Sequence, residues 1–113
     1  MTEKIKQCIL SFLDALLECF PKNINLMLTR IYCFQFDSDG LIEHLANNVN
    51  IEKVKSRNEH YLIYELKLFE NICINSNNQF TFEQIWILPE MDDENKQMIW
   101  KWMLVIARFL SKQ

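Results

Sequence analysis

Cys8, Cys19, Cys33, Cys73, His44 and His60 are the side chains of this chain best suited to nucleophilic or metal chemistry. Their arrangement argues against both. The cysteines lie 11, 14 and 40 positions apart, so no pair has the CxxC spacing of a zinc site or a thioredoxin-like redox centre. His44 and His60 each follow a glutamate, and neither falls in an HExxH pattern. A metal pair would need the two histidine-bearing helices to face each other with both rings converging. A cysteine nucleophile needs a histidine in reach and oxyanion donors. Ile9 beside Cys8, and Tyr32 and Phe34 around Cys33, instead suggest apolar surroundings, which raise a thiol pKa and make it inert.

Two acidic runs remain. Asp37-Ser38-Asp39-Gly40 has oxygen ligands around a sharp turn, as a calcium loop does. Such a loop also needs ligands after the glycine and a bidentate acid at its end. Leu41, Ile42 and His44 follow instead, so the run reads as a turn and helix N-cap, with the helix resuming after Gly40. Asp92-Asp93-Glu94 reads as a helix start, where carboxylates complement the helix dipole. A single glycine, Gly40, leaves no Gly-rich phosphate loop. The expectation is a protein that is not an enzyme and uses no cofactor or metal. A small enzyme built on Cys and His is the least favoured class.

The elements that hold these residues are helical. Ile5, Ile9, Phe12, Leu16 and Phe20 repeat at 4, 3, 4 and 4, which predicts an amphipathic helix from Glu3 to Phe20, ended by Pro21. Ile24, Leu28, Ile31 and Phe34 give helical spacing through Phe36. Leu41, Leu45 and Val49 align in a short helix, and Ile51–Val54 forms another turn. Ser56-Arg57-Asn58-Glu59 matches a capping box and opens a helix from His60 to Phe69. Asn71–Gln79 is polar and reads as a loop. Thr81-Phe82-Glu83-Gln84 is a second capping-box match, opening a helical turn through Trp86 to Leu88 that Pro89 stops; the segment is dense in aromatics (Phe80, Phe82, Trp86) and is expected to fold back over the core.

The last helix, Asp92–Gln113, has the strongest pattern. Ile99, Met103, Ile106 and Leu110 form one stripe and Trp100, Leu104 and Ala107 a second. Gln97, Lys101, Arg108 and Ser111 leave only a narrow polar face, so this helix should be buried on most sides. It is too short, and carries Lys101 and Arg108 in its apolar run, for a membrane span of about 20 residues. The expected fold is all-α: one domain over 1–113, a compact bundle of about five to six helices around a central C-terminal helix.

A net charge of −3 with scattered Lys and Arg disfavours nucleic acid, whose binding depends on cations neutralising phosphates. The N-terminus has no secretory leader pattern, so an intracellular, reduced chain is expected. Surplus apolar surface points to a protein partner or self-association. Phe80, Phe82, Trp86, Trp100 and Trp102 form the candidate interaction surface, since aromatic residues are enriched at interface hot spots.

Glu94-Asn95-Lys96 followed by Ile99-Trp100-Lys101-Trp102 resembles the closing "ENK..IWKY" motif of small helical proteins of nucleocytoplasmic large DNA viruses, mimivirus-like ones among them. Trp102 stands where those chains usually have Tyr. The run from Phe12-Leu13 through Phe20-Pro21-Lys22 is similar to their opening helix, and Ser56-Arg57-Asn58-Glu59-His60 resembles their middle segment. Thirteen Ile and eleven Asn against three Ala fit an AT-rich genome. The resemblance implies a viral setting, in host cytoplasm or virion, and transfers no catalytic residue. A virion component or assembly factor is the leading expectation. A regulatory adaptor on a host or viral complex, with a groove near Phe80, Phe82 and Trp86, is the alternative.

Overall fold

A computed structural model of the chain describes residues 2–66, 68, 69 and 80–112. The expected loop at 71–79, and Cys73 within it, lie outside the described residues. Among those described there are six α-helices and one π turn. They are α1 (Thr2–Cys19), α2 (Ile24–Gln35), α3 (Ser38–Asn48), α4 (Ile51–Lys55), the π turn (Tyr61–Glu65), α5 (Phe82–Trp86) and α6 (Asp93–Ser111). The protein is all-α, as the periodicity predicts, and its last helix is the longest.

The core lies between α1 and α6. Ile5, Ile9, Phe12, Leu13 and Leu16 of α1 are all buried, on the face set by their helical spacing. From α6, Ile99, Met103, Ile106 and Leu110 are buried opposite them, while Gln97, Lys101, Arg108 and Ser111 stay in water. Helix α6 packs on α1, α3 and α4, and α1 also receives α2 and α3. The second predicted stripe is mostly inside too: Trp100 and Ala107 are buried and Leu104 is partly so. Asp92 caps α6 by accepting from the Asn95 amide at 2.8 Å, as expected of a carboxylate at a helix start.

Three local readings are corrected. Asp37 is indeed an N-cap, accepting from the Gly40 amide at 3.1 Å. The helix, however, begins at Ser38, so Asp39 and Gly40 belong to its first turn rather than to a preceding turn. There the glycine makes room: a Cβ on Gly40 would meet the Phe36 ring at 3.1 Å.

The second correction concerns the predicted capping box at Ser56. Ser56 instead closes α4, donating to the Lys53 carbonyl at 3.1 Å. Arg57 follows with φ 55°, a left-handed conformation that crowds the Cβ of any L-residue and that commonly follows a helix end. Asn58 is the cap, accepting from the Tyr61 amide at 3.0 Å. The helix it starts stops early: Leu66 N donates to Tyr61 O at 2.7 Å, an i to i−5 bond, and Leu66 is extended. The helix therefore ends at Glu65 and does not reach Phe69.

The third is Thr81, whose side chain makes no cap bond. Helix α5 has only five residues and is held by what it buries, Phe82 and Ile85.

Candidate docking surface

The aromatic residues expected at the surface are largely core. Phe80 is 3%, Phe82 2% and Trp100 7% exposed, while Trp86 and Trp102 are partly buried. Phe12 stacks between Phe82 at 6.1 Å and Trp102 at 5.9 Å. Phe82 in turn meets the edge of Phe80 at 5.4 Å, and Phe80 lies 6.2 Å from Phe69. These rings form one continuous row through the interior. The reason is that α5 folds back on the bundle and inserts its aromatic face, where rings gain from offset and edge contacts as well as from burial. Trp86 keeps its polar end outward: Nε1 donates to Glu59 Oε1 at 3.0 Å, and Lys96 Nζ sits 5.7 Å from its ring.

The exposed apolar surface is on α2. Asn23 starts this helix by accepting from the Leu26 amide at 3.0 Å. Leu26, Thr29 and Cys33 turn inward against α1 and are fully buried. Thr29 satisfies its hydroxyl locally, donating to the Asn25 carbonyl at 2.8 Å. With that phase set, Ile24 (66%), Met27 (46%), Ile31 (46%) and Phe34 (61%) face water. Their 3, 4, 3 spacing places them in one row along the helix. The sequence pattern puts Ile24, Ile31 and Phe34 in an apolar stripe, and the structure turns that stripe away from the core.

Basic side chains frame the row without entering it. Arg30 pairs with Asp14 of α1 through two bonds, Nε to Oδ1 at 3.0 Å and Nη2 to Oδ2 at 3.3 Å. Lys6 Nζ donates to the Phe36 carbonyl at 2.7 Å. Both cations lie 5.8 Å from the Phe34 ring centre. At the other end of α2, Cys19, Phe20, Pro21, Lys22, Asn23, Gln84, Leu88 and Glu90 line a cavity of about 510 Å³. Asn25 Nδ2 donates to Gln84 Oε1 at 3.1 Å and ties α2 to α5 beside it. Ile87, next to Leu88, is 79% exposed.

The candidate chemical residues are dispersed. His44 Nε2 is 3.2 Å from the Leu68 carbonyl, while His60 is exposed and packs its ring 5.1 Å from Tyr64. Among the described residues, no three His, Cys, Asp or Glu side chains gather as a metal site would require. Burial pushes the Cys8 thiol above its ordinary range. Cys19 is raised by burial and then by the carboxylates of Glu18, Asp92 and Glu94, and its Sγ donates to Asn95 Oδ1 at 3.3 Å. A raised pKa lowers the thiolate fraction at neutral pH, the opposite of what a cysteine nucleophile needs. No helix among the described residues is long and apolar enough to cross a membrane.

No family model, curated protein or solved structure matches this chain.

Proposed function

We propose that this chain is a non-enzymatic protein-interaction or structural module that docks through the outward face of α2. The observation that carries this reading is the row Ile24, Met27, Ile31 and Phe34, four large apolar side chains left in water on one helical face. Together they expose roughly 400 Å², taking about 200 Å² for a fully exposed large side chain. That is the size of the largest apolar patch on a typical monomer, roughly 300–600 Å², and such patches are often functional. Covering it removes apolar area from water, and the two cations beside Phe34 already have partners, Arg30 in Asp14 and Lys6 in the Phe36 carbonyl.

In the viral setting that the sequence resemblance implies, such a module would serve as a virion component or assembly factor. An adaptor role would use the same face, since Phe80 and Phe82 belong to the core.

A photoreactive residue at Met27 tests the reading in cells that produce the protein, with the same residue at exposed Lys101 as reference. A protein adduct formed from position 27, absent from position 101 and lost with Phe34→Asp, is the expected result. Equal labelling from both positions would remove α2 as the docking surface.

A further inference from the structure

We infer that the occupant of the α2 face is a second copy of this chain, paired antiparallel across a twofold axis that passes between Met27 and Ile31 on the outer face, at the level of Thr29. This rests on the docking role proposed above and names its partner.

The row reads the same from either end. Antiparallel pairing about that axis sets Ile24 opposite Phe34 of the second copy and Met27 opposite its Ile31, so every exposed apolar side chain meets another. A twofold interface requires such self-complementarity. Charge at the two ends selects the direction. Exposed Lys22 precedes Ile24, and exposed Asp37 and Asp39 follow Phe34. Antiparallel pairing brings Lys22 of each copy toward Asp37 and Asp39 of the other, at an end where Arg30 is already paired with Asp14 and Lys6 donates to the Phe36 carbonyl, whereas parallel pairing sets Lys22 against Lys22 and the aspartates against each other. Opposed helices also set the dipole ends favourably.

Two such faces remove roughly 800 Å² from water before the partly buried Leu28 and Tyr32 are counted. Stable interfaces bury about 1,200–2,000 Å² in total. The pair falls below that range, so its association is weak and concentration-dependent.

A membrane surface fits the same row less well. Binding to anionic lipid draws on basic side chains, but Arg30 is engaged by Asp14 and Lys6 by the Phe36 carbonyl. Asp37 and Asp39 stand exposed at one end, and the chain carries a net charge of −3.

Sedimentation equilibrium across the micromolar range tests the inference. The wild type is expected to rise from 13.7 kDa toward twice that mass. Met27→Asp and Phe34→Asp, at exposed positions, should weaken association at least about tenfold by placing charge in an apolar interface. Their thermal midpoints should stay near the wild-type value, and Lys101→Ala should dimerise normally. A photoreactive residue at Ile24 should attach to the C-terminal half of α2 in the second copy. Attachment to the N-terminal half would overturn the antiparallel register. A chain that stays monomeric, a dimer indifferent to both variants, or flotation of a monomer on phosphatidylserine vesicles would overturn self-pairing. If the chain is monomeric and position 27 still captures another protein in cells, only the choice of partner fails. If position 27 captures nothing either, the docking role fails with it.

Discussion

Helices α2 and α6 are both rich in apolar side chains, and the bundle uses them in opposite ways. Helix α6 has neighbours in α1, α3 and α4 and buries Ile99, Trp100, Met103, Ile106, Ala107 and Leu110. Helix α2 packs chiefly on α1 and buries only Leu26, Thr29 and Cys33, leaving its longer apolar row outside. Composition alone does not distinguish the two. The number of neighbours does: a helix at the edge of a bundle has one face to give to the core, and anything apolar on the other face is surplus to folding.

The largest effect is expected on the α6 side. Ile106 is fully buried, and Ile106→Asp would put an unpaired carboxylate among apolar groups. Such a carboxyl either stays ionised at a large desolvation cost or is held protonated without a partner, and either takes up most of the roughly 5–15 kcal/mol that holds a domain together. The expected outcome is loss of the cooperative thermal transition by circular dichroism. A native transition in this variant would mean that α6 is not part of the core. Phe12→Ala comes next. It removes the ring held between Phe82 and Trp102 and should cost about 3–5 kcal/mol in a urea titration. A cost below 1 kcal/mol would break the claim that the aromatic row is packed core.

The long helices were legible because their signals are local. Pro21 ends α1, Asn23 and Asp92 cap α2 and α6, and the apolar spacing of α1 and α6 matches the faces that are buried. The segment after α4 was not legible in the same way. Ser56 and Glu59 have capping-box spacing, but Asn58 takes the cap and Glu59 accepts from Trp86 far along the chain. A 3.6-residue period also cannot reveal that Leu66 bonds to Tyr61 and ends the helix. The docking surface failed for a third reason. Helix α2 has apolar residues on both faces, so its pattern permits either face inward. Contact with α1 selects Leu26 and Cys33. The aromatic density around Phe80, Phe82 and Trp86 supports both a segment folded back over the core and an exposed groove, and the burial of Phe80 and Phe82 selects the first.

A smaller effect follows from protons held in the interior. Cys8 and Cys19 are raised above their ordinary 9.0. Tyr61 is raised above 10.0 by burial, against the lowering effect of the Asn50 amide that donates to its hydroxyl, with Glu65 adding to the rise. The unfolded chain therefore releases these protons at lower pH than the folded one. What these groups contribute to stability is fully present below pH 9.0 and is lost as the pH rises through 9.0, then 10.0, toward the folded values. Urea midpoints measured at increasing alkaline pH should decline, and Cys8→Ala should show a shallower decline. A flat profile would mean that these side chains are hydrated in the folded protein. At neutral pH the same shifts predict that Cys8 and Cys19 alkylate more slowly than a small free thiol.

The smallest change in stability is expected where the apolar content is as high but the burial is not. Ile31→Asp introduces the same carboxylate as Ile106→Asp, into a helix of similar character. Ile31 is 46% exposed on the outer face of α2, so the charge stays hydrated. The remaining cost is helix propensity and a modest loss of packing, within about 1 kcal/mol. Lys101→Ala on the polar face of α6 supplies the reference for a substitution in water, and should shift the midpoint by less than about 0.5 kcal/mol. If Ile31→Asp behaves like Lys101→Ala in urea and yet abolishes association, then the apolar row of α2 serves binding and not folding. If it unfolds the protein as Ile106→Asp should, the two helices are alike after all, and the surplus apolar surface belongs to the core.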